Sequence, residues 1–173
     1  ARKLLPIGIS CASVGSVVGV IGMTALGSTF TYNILKLSFG LLPLALVLVV
    51  LAAMVASAGL PAAPCYVIVA AVSAPALTRM GVSPLAAHMF VFWLGSLSGV
   101  TPPVALTAYT AAGVAGSDPN VTAFEGLKLA LPGFIVPAMY VYRPELLGEQ
   151  ATALNLILSI GYATAAVLAT GWA

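Results

Sequence analysis

Five apolar blocks run through the chain, at residues 4–26, 41–78, 84–116, 129–142 and 150–172, and clusters of charge separate them. A charged side chain costs about 2.5 to 3.5 kcal/mol at the centre of a membrane helix, so the charges are expected to mark loops. They fall at Arg2 and Lys3, at Lys36 within a semi-polar stretch from Ser28 to Gly40, at Arg79, at Asp118, Glu125 and Lys128, and at Arg143, Glu145 and Glu149. The block 41–78 is too long for one span of about 20 residues, and Ser57-Ala58-Gly59-Leu60-Pro61 interrupts it. Gly59 can take the left-handed conformation that ends one helix, and Pro61 can begin the next because the first helical position needs no N–H. The pattern therefore predicts a helical hairpin, with helices over 41–57 and 62–77. Non-helical backbone at its tip is tolerated at membrane depth only beside protein or a water-filled cavity.

The block 84–116 is interrupted in the same way, by Thr101-Pro102-Pro103. Each proline lacks an N–H, so the carbonyls of Ser98 and Gly99 lose their usual donors and the helix should break there. The expected organisation is a transmembrane helix plus interfacial segment over 1–40, a hairpin over 41–78, a broken helix over 84–116, and an interfacial segment with terminal membrane helices over 117–173. The short block 129–142 fits either a tilted span or a re-entrant segment.

Composition makes lipid the solvent. Charged residues make up 6% of the chain and hydrophobic ones 61%, against about 25% and 45 to 50% in soluble domains, so the fold class expected is an all-α integral membrane protein. The net charge of +2 is scattered, without the basic stripe a nucleic-acid partner would require. Cys11 and Cys65 lie in apolar runs, where a thiol behaves as a small hydrophobe. Arg2 and Lys3 before an apolar run, with Gly8-Ile9-Ser10-Cys11 following, bring a signal peptide or lipoprotein site to mind, but the run continues to Leu26, beyond the 7 to 15 or so residues of a signal core. With the hairpin leaving on the side it enters, Lys and Arg divide equally between the two faces, so the positive-inside rule gives no orientation. The Ala1 start and the apolar end at Ala173 lead to the expectation of a piece of a larger polypeptide.

A hairpin tip and a broken helix, both with hydroxyl residues, are the parts from which secondary transporters build midplane sites, because half-helix N-termini favour anions while unwound carbonyls and half-helix C-termini coordinate Na⁺. The candidate cation ligands are the carbonyls near Ser57 and Gly59, those of Ser98 and Gly99, and the hydroxyls of Ser57, Ser98 and Thr101. The plainer alternative is that the prolines only kink the helix and the glycines only permit packing. His88, the single histidine, could relay protons, but no partner for a relay is visible in the sequence, and a packing or interfacial role is the simpler reading. Tyr109 follows the break by about two turns and could face a substrate. No enzyme is expected. In Gly95-Ser96-Leu97-Ser98-Gly99 a leucine holds the centre that a hydrolase elbow gives to serine, and the carboxylates lie outside the apolar blocks.

The segments Gly59-Leu60-Pro61, Pro84 to Phe92, Val100-Thr101-Pro102-Pro103-Val104-Ala105-Leu106, Ala111 to Gly116 and Gly133-Phe134-Ile135-Val136-Pro137 resemble the large membrane subunit of tripartite ATP-independent periplasmic (TRAP) transporters, most closely the fused permeases that work with TAXI-type binding proteins. The resemblance runs from about residue 4 to 147, and Thr-Pro-Pro-Val is its most specific part. It implies a sodium-driven elevator transporter of the bacterial or archaeal inner membrane, to which an extracytoplasmic binding protein delivers a small solute, commonly an organic acid. Sodium is then the coupling ion, with no other cofactor, and Pro61, Ala62, Pro102, Pro103, Val104 and Tyr109 are the implied substrate-lining positions. Such permeases have two inverted halves, each with a hairpin and a broken helix. The one pair present here corresponds to the second half, so the remaining half is an implied partner along with membrane lipid, and the hairpin is implied to open to the periplasm. The tip departs from the family's Gly-Met-Gly-Leu-Pro-Thr, because Ser57-Ala58-Gly59-Leu60-Pro61-Ala62 lacks the threonine hydroxyl. The alternative function is a non-transporting membrane subunit or channel component whose breaks serve packing.

Overall fold

A computed structural model of the chain describes residues 4–56, 62–102, 105–149 and 152–171. Eight α-helices follow one another among these residues: α1 (Leu4–Met23), α2 (Leu26–Leu37), α3 (Leu42–Ala56), α4 (Ala62–Arg79), α5 (Pro84–Leu97), α6 (Leu106–Ala115), α7 (Pro119–Tyr142) and α8 (Ala153–Gly171), with a 3₁₀ turn at Pro144–Leu147. No strand occurs among them. By length and composition α4 and α7 can each cross a membrane, and the end of α1 with α2 forms a further pair, bent by 72° at its break. At 1.5 Å per residue, α3, α5 and α6 reach only about 22, 21 and 15 Å, short of a hydrocarbon core of about 30 Å.

Helix α4 is the centre of the fold and touches α1, α2, α3 and α5. It buries Cys65, Val69, Ser73, Ala76 and Leu77 against Val49 and Ala53 of α3 and Ala87, Phe90 and Val91 of α5. Small residues dominate these contacts, which lets helix axes approach closely where apolar surroundings provide no other driving force. A close approach occurs at Gly95, where an added Cβ would lie 3.3 Å from the Ala62 carbonyl oxygen and 3.5 Å from the Tyr66 nitrogen. At the opposite end the Val82 N–H donates to the Leu77 carbonyl over 3.2 Å, so α4 and α5 run antiparallel and the last turn of α5 lies beside the first turn of α4. Ser83 caps α5 by accepting from the Ala86 N–H at 3.1 Å, and Pro84 occupies a position where its missing N–H is harmless.

Charge does not mark loops as uniformly as the sequence pattern predicts. Lys36 and Arg79 lie in the last turns of α2 and α4, where a cation meets the negative end of the helix dipole. Glu125 and Lys128 lie inside α7 and pair with each other at 2.6 Å, both well exposed. That helix starts at Pro119, with the Asp118 carboxylate accepting from the N–H groups of Asn120 and Val121 at 2.9 and 3.0 Å. The block 129–142 is thus the second part of one continuous helix. The outer surface carries large apolar side chains, including Val114 at 87% and Leu129 at 84% exposure, a surface suited to lipid or to further protein and not to water.

The helix break beside the start of α4

Helix α5 ends at Leu97, and the chain passes through Ser98, Gly99, Val100, Thr101 and Pro102 before α6 begins at Leu106. Ser98 and Thr101 are buried, at 8% and 4% exposure. Their hydroxyls both donate backwards over 2.7 Å, Ser98 to the Gly95 carbonyl and Thr101 to the Leu97 carbonyl. A hydroxyl whose proton is engaged in this way presents only lone pairs to its other neighbours, which suits a cation. The Ser98 carbonyl, deprived of a donor by Pro102, accepts from the Thr101 N–H at 3.3 Å.

The Gly99 carbonyl departs from the sequence expectation that Pro103 leaves it open. The Thr107 N–H donates to it at 3.0 Å, and the Thr107 hydroxyl donates to the same oxygen. A carbonyl oxygen has two lone pairs, and here both are engaged from the first turn of α6. The turn that brings Thr107 back passes through Ala105, which is fully buried with φ +34° and ψ +40°. That left-handed conformation costs a non-glycine residue about 1 to 3 kcal/mol. No side chain caps the start of α6.

The sequence-derived site residues distribute as follows. Ser98, Gly99, Thr101 and half-buried Pro102 lie together at the break. Ala62 begins α4 and, through Gly95, adjoins the last turn of α5. Tyr109 is half-buried and packs on Ala105, Ala108 and Ala123, where α6 meets α7. Ser57, Gly59 and Pro61 of the expected tip, and Pro103 and Val104 of the break, lie outside the described residues. Thr107 was not singled out by sequence reasoning, and the available signal was a hydroxyl residue eight positions past Gly99 on the far side of the prolines. His88 has a partner the sequence did not disclose, Tyr66, whose hydroxyl lies 3.0 Å from Nδ1. The two line an open, mostly apolar groove of about 490 Å³ along α4, with Ala70, Ala74 and Pro75. Among the described residues no group of three or more His, Cys, Asp or Glu side chains could hold a metal ion.

Taken together, an apolar all-helical fold with α4 at its centre and a proline-broken segment after α5 is that of a multi-pass membrane protein. The family model described as "Tripartite ATP-independent periplasmic transporter, DctM component" matches residues 1–142, and the chain belongs to that family. Membership implies a transporter permease, not an enzyme, that sits in the membrane and works with a periplasmic binding protein. No curated protein and no solved structure matches the chain.

Proposed function

We propose that the chain forms part of a sodium-coupled permease that takes up an organic-acid-like solute delivered by an extracytoplasmic binding protein. Sodium is bound between the hairpin tip and the break, by oxygens of Ser57 and Gly59 on one side and of Ser98 and Thr101 on the other. The Gly99 carbonyl, both of whose lone pairs Thr107 engages, shapes this site from outside the shell. The substrate lies over Pro61, Ala62, Pro102, Pro103, Val104 and Tyr109, with its carboxylate toward the start of α6, which no side chain caps and where a helix N-terminus favours an anion. The observation that carries this reading is the close approach of Gly95 to Ala62, because it sets the last turn of α5 beside the residue that follows the tip. The absence of a charged residue from Ser98 to Thr110 leaves neutral dipoles as ligands, so a cation and an anionic solute bound together would each raise the other's affinity by the same factor.

The test is uptake by the complete permease in proteoliposomes with its binding protein and a radiolabelled dicarboxylate or related acid. Uptake should follow an imposed inward sodium gradient. Equal uptake when potassium replaces sodium on both sides would overturn the coupling, and assembly without any gradient-driven uptake would favour the non-transporting alternative.

A further inference from the structure

We propose that Thr107 is a positioning residue for the cation site, acting as a clasp that fixes the broken helix by gripping the Gly99 carbonyl. This rests on the sodium reading above and goes beyond it by assigning a role to a side chain outside the ligand set. Thr107 reaches the Gly99 oxygen twice, from its backbone N–H at 3.0 Å and from its hydroxyl. The contact is built from both sides. A Cβ added to Gly99 would stand 3.0 Å from the Thr107 Oγ1 and 3.6 Å from its Cγ2, so only glycine leaves the hydroxyl its place without displacement.

The neighbouring hydroxyls on α6 and α5 behave differently. Thr110 donates to the Leu106 carbonyl of its own helix at 2.8 Å, and Ser96 to the Phe92 carbonyl at 3.1 Å, the ordinary back-bonding of hydroxyl residues in helices. Thr107 alone among these sends its hydroxyl across the break, over eight residues. The segment from Ser98 to Thr107 carries the proposed ligands Ser98 and Thr101 near one end and the left-handed Ala105 near the other, and among its described residues the backbone bonds are those from the Thr101 N–H to the Ser98 carbonyl at 3.3 Å, from the Ala105 N–H to the Thr101 carbonyl at 3.1 Å and from the Thr107 N–H to the Gly99 carbonyl at 3.0 Å. Turning the Gly99 carbonyl toward α6 fixes that segment in one arrangement, in which the hydroxyls of Ser98 and Thr101, their protons engaged by the Gly95 and Leu97 carbonyls, are the oxygens proposed to meet the ion. Sodium then binds to a preformed arrangement and does not have to order it, which is how preorganisation raises affinity.

The consequence is an effect on sodium affinity without loss of fold. Removing a hydrogen bond of this kind should raise the half-saturating sodium concentration about three- to tenfold. The measurement needs no substrate: the unfolding temperature of the purified full-length permease is followed against NaCl, with choline chloride holding ionic strength constant. Thr107→Val should move the sodium midpoint upward while the unfolding temperature in choline alone stays within a few degrees of the parent. Thr107→Ser should behave as the parent, and Thr110→Val, which loses only a within-helix bond, should not move the midpoint. Gly99→Ala attacks the same contact from the acceptor side and keeps the proposal testable where Thr107→Val fails to fold. Combined with Thr107→Val, it should add less than its separate effect, as two changes to one contact do.

A parent permease that sodium does not stabilise would overturn the sodium reading itself. A parent with a clear sodium midpoint that neither Thr107→Val nor Gly99→Ala moves, or full additivity of the two changes, would overturn the clasp and leave the sodium reading standing.

Discussion

A proline beyond the first turn of a helix, or just past its end, leaves the carbonyl four residues earlier without its helical donor, and the individual carbonyls are treated differently. Gly133 loses its donor to Pro137 and is served by the Trp93 indole N–H at 2.8 Å, with the Trp93 ring edge-on to Tyr140. Gly99 loses its donor to Pro103 and is served by Thr107. Ala71 loses its donor to Pro75 and faces Gly27, whose added Cβ would lie 3.7 Å from that oxygen. Trp93→Phe should therefore lower stability by about 1 to 2 kcal/mol, because it leaves a desolvated carbonyl unpaired. The same change should matter less than half as much in a Pro137→Ala background, where Ala supplies the missing N–H. Thermal unfolding of the four proteins in detergent checks this, and equal losses in both backgrounds would mean that Trp93 acts through its packing on Tyr140.

At the scale of elements, the break after α5 is enforced by two prolines and held by hydroxyls, and these contributions can be separated. Thr101→Val removes one buried hydroxyl and its bond to the Leu97 carbonyl but keeps the shape of the turn. Replacing Pro102 and Pro103 with Ala restores two N–H groups that can compete for the carbonyls of Ser98 and Gly99 and continue the helix. The paired change should reduce sodium-dependent uptake more than Thr101→Val does, and an unchanged sodium dependence in the paired variant would move the cation site elsewhere. The break after α5 was legible in the sequence, because proline acts locally: α5 ends at Leu97, five residues before Pro102, whereas the interruption expected at Ser57 to Pro61 lies outside the described residues. The start of α7 was not legible. Glu125 and Lys128 look like loop markers until their spacing of three places them as an exposed pair on one helix. Nor were the contacts that join elements, such as Tyr66 with His88, Trp93 with Gly133, and Ser83 with Glu149. Those pairs are set by how helices stack, and the residues' own neighbourhoods in sequence do not encode it.

At the scale of the whole molecule, the open question is sidedness, since charge counting gives none and the helices alone carry no orientation. Lys36 closes α2 just before α3, and Arg79 closes α4 just before α5, so the two residues bracket the α3–α4 pair. Both are exposed. With α3 about 22 Å long and α4 about 27 Å, the pair can reach to mid-membrane and return, or α4 can complete a crossing that α3 leaves short. The transport reading requires the first arrangement, because a tip that emerges into water on the far side would leave no midplane site beside the break. Cysteine placed at Lys36 and at Arg79, one at a time in a complete permease lacking Cys11 and Cys65, distinguishes them by labelling intact cells with a membrane-impermeant maleimide. The two positions should react alike, either both from outside or both only after permeabilisation, and agreement with a periplasmic opening would make both reactive from outside. Opposite reactivity would make α3–α4 an odd number of crossings, separate the tip from the break by the thickness of the bilayer, and remove the basis for a shared cation site.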